Sequence, residues 1–117
     1  MAELEIEGDR LIVYIRGLDQ FFALATRVEV ALAHISGVEV DPPDAHQVWH
    51  GLRMGGTNLP GVITAGRFLQ SGQWAFWDVH DPSLSIAIYL HDESYARLVI
   101  GVDDPQASAE LLRAAIG

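Results

Sequence analysis

Hydrophobic and polar positions alternate most regularly between Leu59 and Gly101, LPGVITAGRFLQSGQWAFWDVHDPSLSIAIYLHDESYARLVIG. Four short apolar runs are separated there by Ser71-Gly72, Asp81-Pro82-Ser83 and Asp92-Glu93-Ser94. Runs of that kind, bounded by turn-forming residues, predict consecutive antiparallel strands joined by tight turns. With Asp81 to Ser83 as a loop, Leu84 falls opposite His80, Ile86 opposite Asp78, Ile88 opposite Phe76 and Leu90 opposite Trp74, all on one face. With Asp92 to Ser94 as the next loop, Ala96, Leu98, Ile100 and Val102 join that nearly apolar face. The opposite face carries Trp77, Tyr89, Tyr95, Arg97 and His91 among Ala75, Ala87, Val99 and Ser85. At the first hairpin a two-residue loop sets Arg67 opposite Phe76. A slip of one residue sets Phe68 there instead, and a three-residue loop or bulge at Gly72 is the expected solution.

Upstream, Glu3, Glu5 and Glu7 alternate with Leu4 and Ile6, Gly8-Asp9 turns the chain, and Leu11, Val13 and Ile15 continue the period, which predicts a hairpin. Asp19 is placed to cap a short helix through Phe21, Phe22, Leu24 and Ala25. RVEVALAHISGVEVD then holds two strands, one around Val28 and Val30 and one around Val38 and Val40, with a kink near His34 and Gly37. Residues 42–61, PPDAHQVWHGLRMGGTNLPG, have no sustained period and read as a long Pro- and Gly-rich loop, a kind of segment that often carries function. Asp104 and Pro105 suit the N-cap and first position of a C-terminal helix over 104–116, with Ser108, Leu111, Leu112, Ala115 and Ile116 as its inner stripe.

Composition narrows what such a chain can do. The 117 residues predict one domain that stands on its core, since there is no cysteine for disulfides, thiolate metal sites or cysteine catalysis. No run reaches the roughly 20 apolar residues of a membrane span, and the acidic start lacks a signal peptide's basic region, so a cytoplasmic location is expected. The formal net charge of −9, with seven arginines and no lysine, opposes binding to nucleic acid or to anionic lipid. Lysine's absence beside abundant Ala, Gly and Arg points to a high-GC bacterial genome.

The segments LPGVITAGRF, QWAFWDV, LSIAIYL and YARLVIGVDDPQASAELLRAAI, in this order after an N-terminal hairpin, resemble the bacterial pleckstrin-homology-like domains of unknown function. The resemblance implies an α+β, mainly antiparallel, partly open barrel of about seven strands capped by the C-terminal helix. It implies an interaction or oligomerisation role without catalysis. Phosphoinositide-binding members of the wider fold use a basic first hairpin loop, whereas Glu7-Gly8-Asp9-Arg10 stands here, so headgroup or membrane binding is not expected.

Candidate chemistry is sparse. His46 and His50 have the spacing of a helical metal pair, but in a Pro- and Gly-rich segment they read as solvated loop histidines, and no metal or cofactor is expected. The pairing on paper sets His80 and His91 on the order of 20 Å apart, so His80 with Asp78 reads as a polar pair at the rim. No strand-turn-helix elbow holds a nucleophilic serine. Trp77, Tyr89, Tyr95 and Arg97 are residue types enriched in interfaces, so that face either binds a protein partner or a second copy, or is covered by residues 42–61. The alternative function is a small-ligand module in which Trp49, His50 and Arg53 of the long loop hold a small, anionic molecule.

Overall fold

In the computed structural model, residues 2–17, 19–23, 25–46, 52–59, 63–70 and 72–117 are described. Strand β1, Ala2–Glu7, pairs antiparallel with β2, Arg10–Ile15, across a two-residue turn in which Gly8 takes a φ of +63°. That left-handed backbone is open to glycine at little cost, so the turn forms where the sequence breaks its alternation. Helix α1, Asp19–Ala23, follows, and β3, Arg27–Ala31, then pairs with the other edge of β2. Leu11, Val13, Ile15 and Val30 are buried, while Glu3, Glu5 and Glu7 face outward, as period-two alternation demands.

The second sheet holds β4, Ile35–Val40; β5, Leu52–Leu59; β6, Ile63–Gln70; β7, Gln73–Val79; β8, Ser85–Leu90; and β9, Arg97–Gly101. Their spatial order is β4-β8-β9-β7-β6-β5. The expected meander is corrected here: β9 lies between β7 and β8, parallel to β7 and antiparallel to β8. The chain between β7 and β8 must therefore span two strand spacings, about 10 Å, and forms a 3-10 turn over Pro82–Leu84 in place of a tight hairpin loop. Asp81 caps that turn, accepting a hydrogen bond from the Ser83 amide at 3.0 Å. The face assignments within β7, β8 and β9 survive, because the register runs Phe76 to Leu98 to Ile88 and Asp78 to Ile100 to Ile86.

Two further expectations change. The β6–β7 hairpin keeps the unslipped register, with Arg67 opposite Phe76 and Gln70 opposite Gln73. No slip is needed to bury Phe68, because it buries on the other face, its ring 6.3 Å from that of Trp77. Residues 42–61 are not one loop: a 3-10 turn, Pro43–His46, precedes the eight-residue β5, which pairs with β6 through a register shift between Arg53 and Gly56. Backbone groups supply such pairing whatever the side-chain period, and glycine accommodates the irregularity.

The main core lies between the two sheets: Leu11, Val13, Ile15 and Val30 from the first meet Phe76, Ile86, Ile88, Leu98 and Ile100 from the second. Helix α2, Pro105–Ile116, packs on β4 and β8. Asp104 caps it, accepting from the Ala107 amide at 3.1 Å, and Arg113 donates to the Val38 carbonyl at 2.9 Å. Its buried residues are Ala109 and Leu112, with Ile116 half-buried; Leu111 and Ala115, expected inside, face solvent because the helix meets the core along a narrower stripe. The architecture is mostly β, of α+β class, with two sheets that do not close on each other. Among the described residues no helix is long and apolar enough to cross a membrane.

Candidate functional site

The outer face of the six-stranded sheet carries a second buried cluster, made by Phe68, Ala75, Trp77, Val79, Ala87 and Val99 of the strands with Ala45 laid over them. Asp41 makes this possible: at the end of β4 it adopts a φ of +53°, a left-handed conformation that aspartate tolerates, and redirects the chain across the sheet. Asp44, on the following turn, forms a two-pronged ion pair with Arg97. Burial works against the Arg97 charge, and the bonds to Asp44 outweigh it, so the guanidinium is held charged. Arg97 also lies 5.4 Å from the Trp77 ring centroid, within cation–π range.

Over Trp77 the structure has the second of the two expected arrangements, cover by part of residues 42–61, and the four residues of that face part company. Trp77 is fully buried, and the turn after β4 covers it. Tyr95 is on the opposite side, its ring 5.7 Å from that of Phe76 and packed against the main core. Tyr89 alone remains exposed, at 37%, and donates its hydroxyl to Glu39 at 2.7 Å. Burial and the Glu39 carboxylate both push the Tyr89 phenol above its ordinary pKa.

Where β7 and β9 begin and β8 ends, Tyr89 and the half-buried Trp74 frame an open groove with Gln73, Ala75, Ala96 and Arg97. It runs into a wider concavity of about 370 Å³ bounded by the β8–β9 connection, His91 to Ala96. That connection is fastened by Glu93, which accepts from the Ala31 amide at 3.2 Å and lies 2.7 Å from His34 Nδ1. Burial raises the Glu93 carboxyl, but the His34 and Ala31 contacts outweigh it and hold it low. His91 Nδ1 stands 3.0 Å from Asp92, with its ring 5.4 Å from that of His34.

A different cluster occupies the opposite end of the sheet. Asp78 on β7 projects into the main core beside Ile100 and Ala65, is fully buried, and has no hydrogen-bond partner on either carboxylate oxygen. Helix α1 packs across β5, β6 and β7 and brings Asp19, itself 5% exposed, to the same place. The Gln20 side-chain amide donates to the Ile15 carbonyl at 2.9 Å and fixes the start of that helix. His80, just past β7, sets Nε2 2.6 Å from Asp19. One donor atom from each of Asp19, Asp78 and His80 lies within 4.8 Å of the others, a spacing that suits a metal ion. Burial, then the neighbouring Asp19 charge, pushes the Asp78 carboxyl up to about 7. Burial also works to raise Asp19, but its contacts with its neighbours, His80 first and then Asp78, together outweigh this and hold it below the ordinary value. The expected Asp78–His80 rim pair is thus corrected: His80 turns to Asp19, and Asp78 is interior.

His46 is 2.6 Å from Asp41 at the surface. Trp49 and His50 lie outside the described residues, as does the side chain of Arg53 on β5. Sequence reading missed Asp19 as a site residue and saw only its capping role; the available signal was Asp78, a carboxylate at a core position of an apolar face. What the fold and these sites define is a two-sheet α+β domain with an aromatic groove at one end and a buried acid–histidine cluster at the other. Comparison with protein-family models, with curated proteins and with solved structures finds no match.

Proposed function

We propose that this is a non-enzymatic interaction domain that docks a basic segment of a partner protein in the groove between Trp74 and Tyr89. The observation that carries this reading is the groove itself: the rings of Trp74 and Tyr89 stay accessible on a sheet whose Phe68, Phe76 and Trp77 are buried. Aromatic anchors in a cleft are the usual energetic centre of a protein interface. Glu39, Asp92 and Glu93 stand around the opening, and the chain carries a net charge of −9, which favours a cationic segment and opposes a second acidic copy. The pleckstrin-homology-like resemblance belongs to this reading, supported by an opening hairpin, a mainly antiparallel second sheet and a closing helix; the parallel β7–β9 pair is a departure from it.

Selection of a random peptide library on the tag-free chain tests it. Enriched peptides combine Arg or Lys with apolar residues, and both Trp74→Ala and Tyr89→Ala abolish their binding while leaving the thermal melt unchanged. Enrichment without basic character, or binding indifferent to both variants, overturns the reading. A mass that doubles with concentration in the absence of peptide, and returns to that of one chain in Tyr89→Ala, assigns the groove to self-association instead.

A further inference from the structure

We propose that Asp19, Asp78 and His80 form a binding site for one divalent first-row transition ion, of the zinc or manganese kind, that staples α1 to the end of β7.

Two observations meet here. Three potential ligands, a carboxylate from α1 with a carboxylate and an imidazole from the end of β7, converge with their donor atoms within 4.8 Å of one another. Bonds of about 2.0–2.2 Å to a shared ion bring such atoms slightly closer together, a displacement that side-chain rotation supplies. Independently, Asp78 is fully buried among aliphatic side chains, and neither of its oxygens has a hydrogen-bond partner. Buried polar groups are nearly always partnered, and an orphaned carboxylate beside a second carboxylate is a strong exception. A cation between the two acids removes both the repulsion and the missing bonds.

The donor set selects the kind of ion. Calcium and magnesium prefer oxygen cages, and thiolate sites are impossible in a chain without cysteine. Two carboxylates with an imidazole suit zinc, manganese or ferrous iron. Three protein ligands leave a position for water, which reaches it from the His80 side, where that side chain is 40% exposed. The competing account is a carboxylic pair sharing one proton, and it makes a different prediction.

Isothermal titration of EDTA-treated, tag-free chain with Zn²⁺ alone and Mn²⁺ alone separates the two, with thermal melting as the second readout. The expected result is saturable binding of one ion per chain with a rise in melting temperature, weakened about tenfold or more in both Asp78→Asn and His80→Ala. His80→Ala alters an exposed side chain, so it keeps the test decisive should Asp78→Asn not fold. No saturable binding by the native chain leaves the shared proton as the account and overturns the proposal. So does binding of undiminished affinity in His80→Ala or in a folded Asp78→Asn, which places the ion elsewhere.

Discussion

At the residue scale, two acids show how the interior assigns opposite roles to the same side chain. Asp44 has a cationic partner that sits over an aromatic ring, whereas Asp78 has apolar neighbours and another carboxylate. Replacing Asp44 with Ala leaves the Arg97 guanidinium, whose side chain is 16% exposed, without its carboxylate. The expected cost is about 2 kcal/mol, less than for a fully enclosed pair because Asp44 retains some contact with water. Urea unfolding checks it as a lower midpoint with an unchanged slope. For Asp78 the sign is reversed. The native carboxyl titrates near 7 and the unfolded one near 3.8, so between those values the native chain binds more protons. Stability therefore falls as pH rises through that window and levels off above 7. Asp19 acts in the other direction, losing its contribution only as pH falls below the ordinary carboxyl range, outside that window. In EDTA, Asp78→Asn is expected to exceed the native chain in stability above pH 7, by at most on the order of 4 kcal/mol, with the gap closing toward pH 4. Denaturant midpoints across pH measure this, and a gap that does not depend on pH contradicts it. Asp78 was visible in the sequence as a polar interruption of an apolar face. Its environment was not, because the groups that raise its pKa come from α1 and from burial.

At the element scale, the C-terminal helix separates what periodicity reveals from what it leaves open. The Asp104-Pro105 start is legible in the residues and is where the helix begins. Its stripe was read one residue row too wide: Leu111 and Leu112 both fit an amphipathic pattern, but only Leu112 reaches the core, while Leu111 is 49% exposed. Leu112→Ala is accordingly expected to cost about 3 kcal/mol, and Leu111→Ala less than about 0.5 kcal/mol. Parallel thermal melts of the two variants decide it, and similar losses for both place Leu111 in the core after all. The β5 strand makes the complementary point. Its glycines carry no hydrophobic period, so nothing in residues 52–59 announces a strand, yet its pairing with β6 rests on backbone groups that every residue there possesses.

At the scale of the whole molecule, the two sheets and α2 enclose one main core, and the chain after β4 seals the outer face that would otherwise expose Trp77. With that face covered and a net charge of −9, the chain is expected to remain a single-chain species in light scattering over a wide concentration range. A mass that grows with concentration would locate an interface elsewhere, with the Trp74–Tyr89 groove the first place to test. The acid–histidine cluster and the groove lie at opposite ends of the six-stranded sheet, so ion binding at one and peptide binding at the other are expected to be separable by mutation.

The sequence by itself determined the N-terminal hairpin, the capped start of the C-terminal helix and the face taken by each residue of β7, β8 and β9. These depend on turn residues, caps and a period of two, all of which are local, and inserting β9 between β7 and β8 leaves that parity intact. Only the tertiary structure decided the strand order, the pairing of β5, the burial of Trp77 beneath the turn carrying Asp44, and the meeting of Asp19 with Asp78 and His80. Each of these joins positions remote in the chain. Their partners are chosen by main-chain hydrogen bonding and by competition for shared interior space, neither of which leaves a mark on the hydrophobic pattern of one segment read alone.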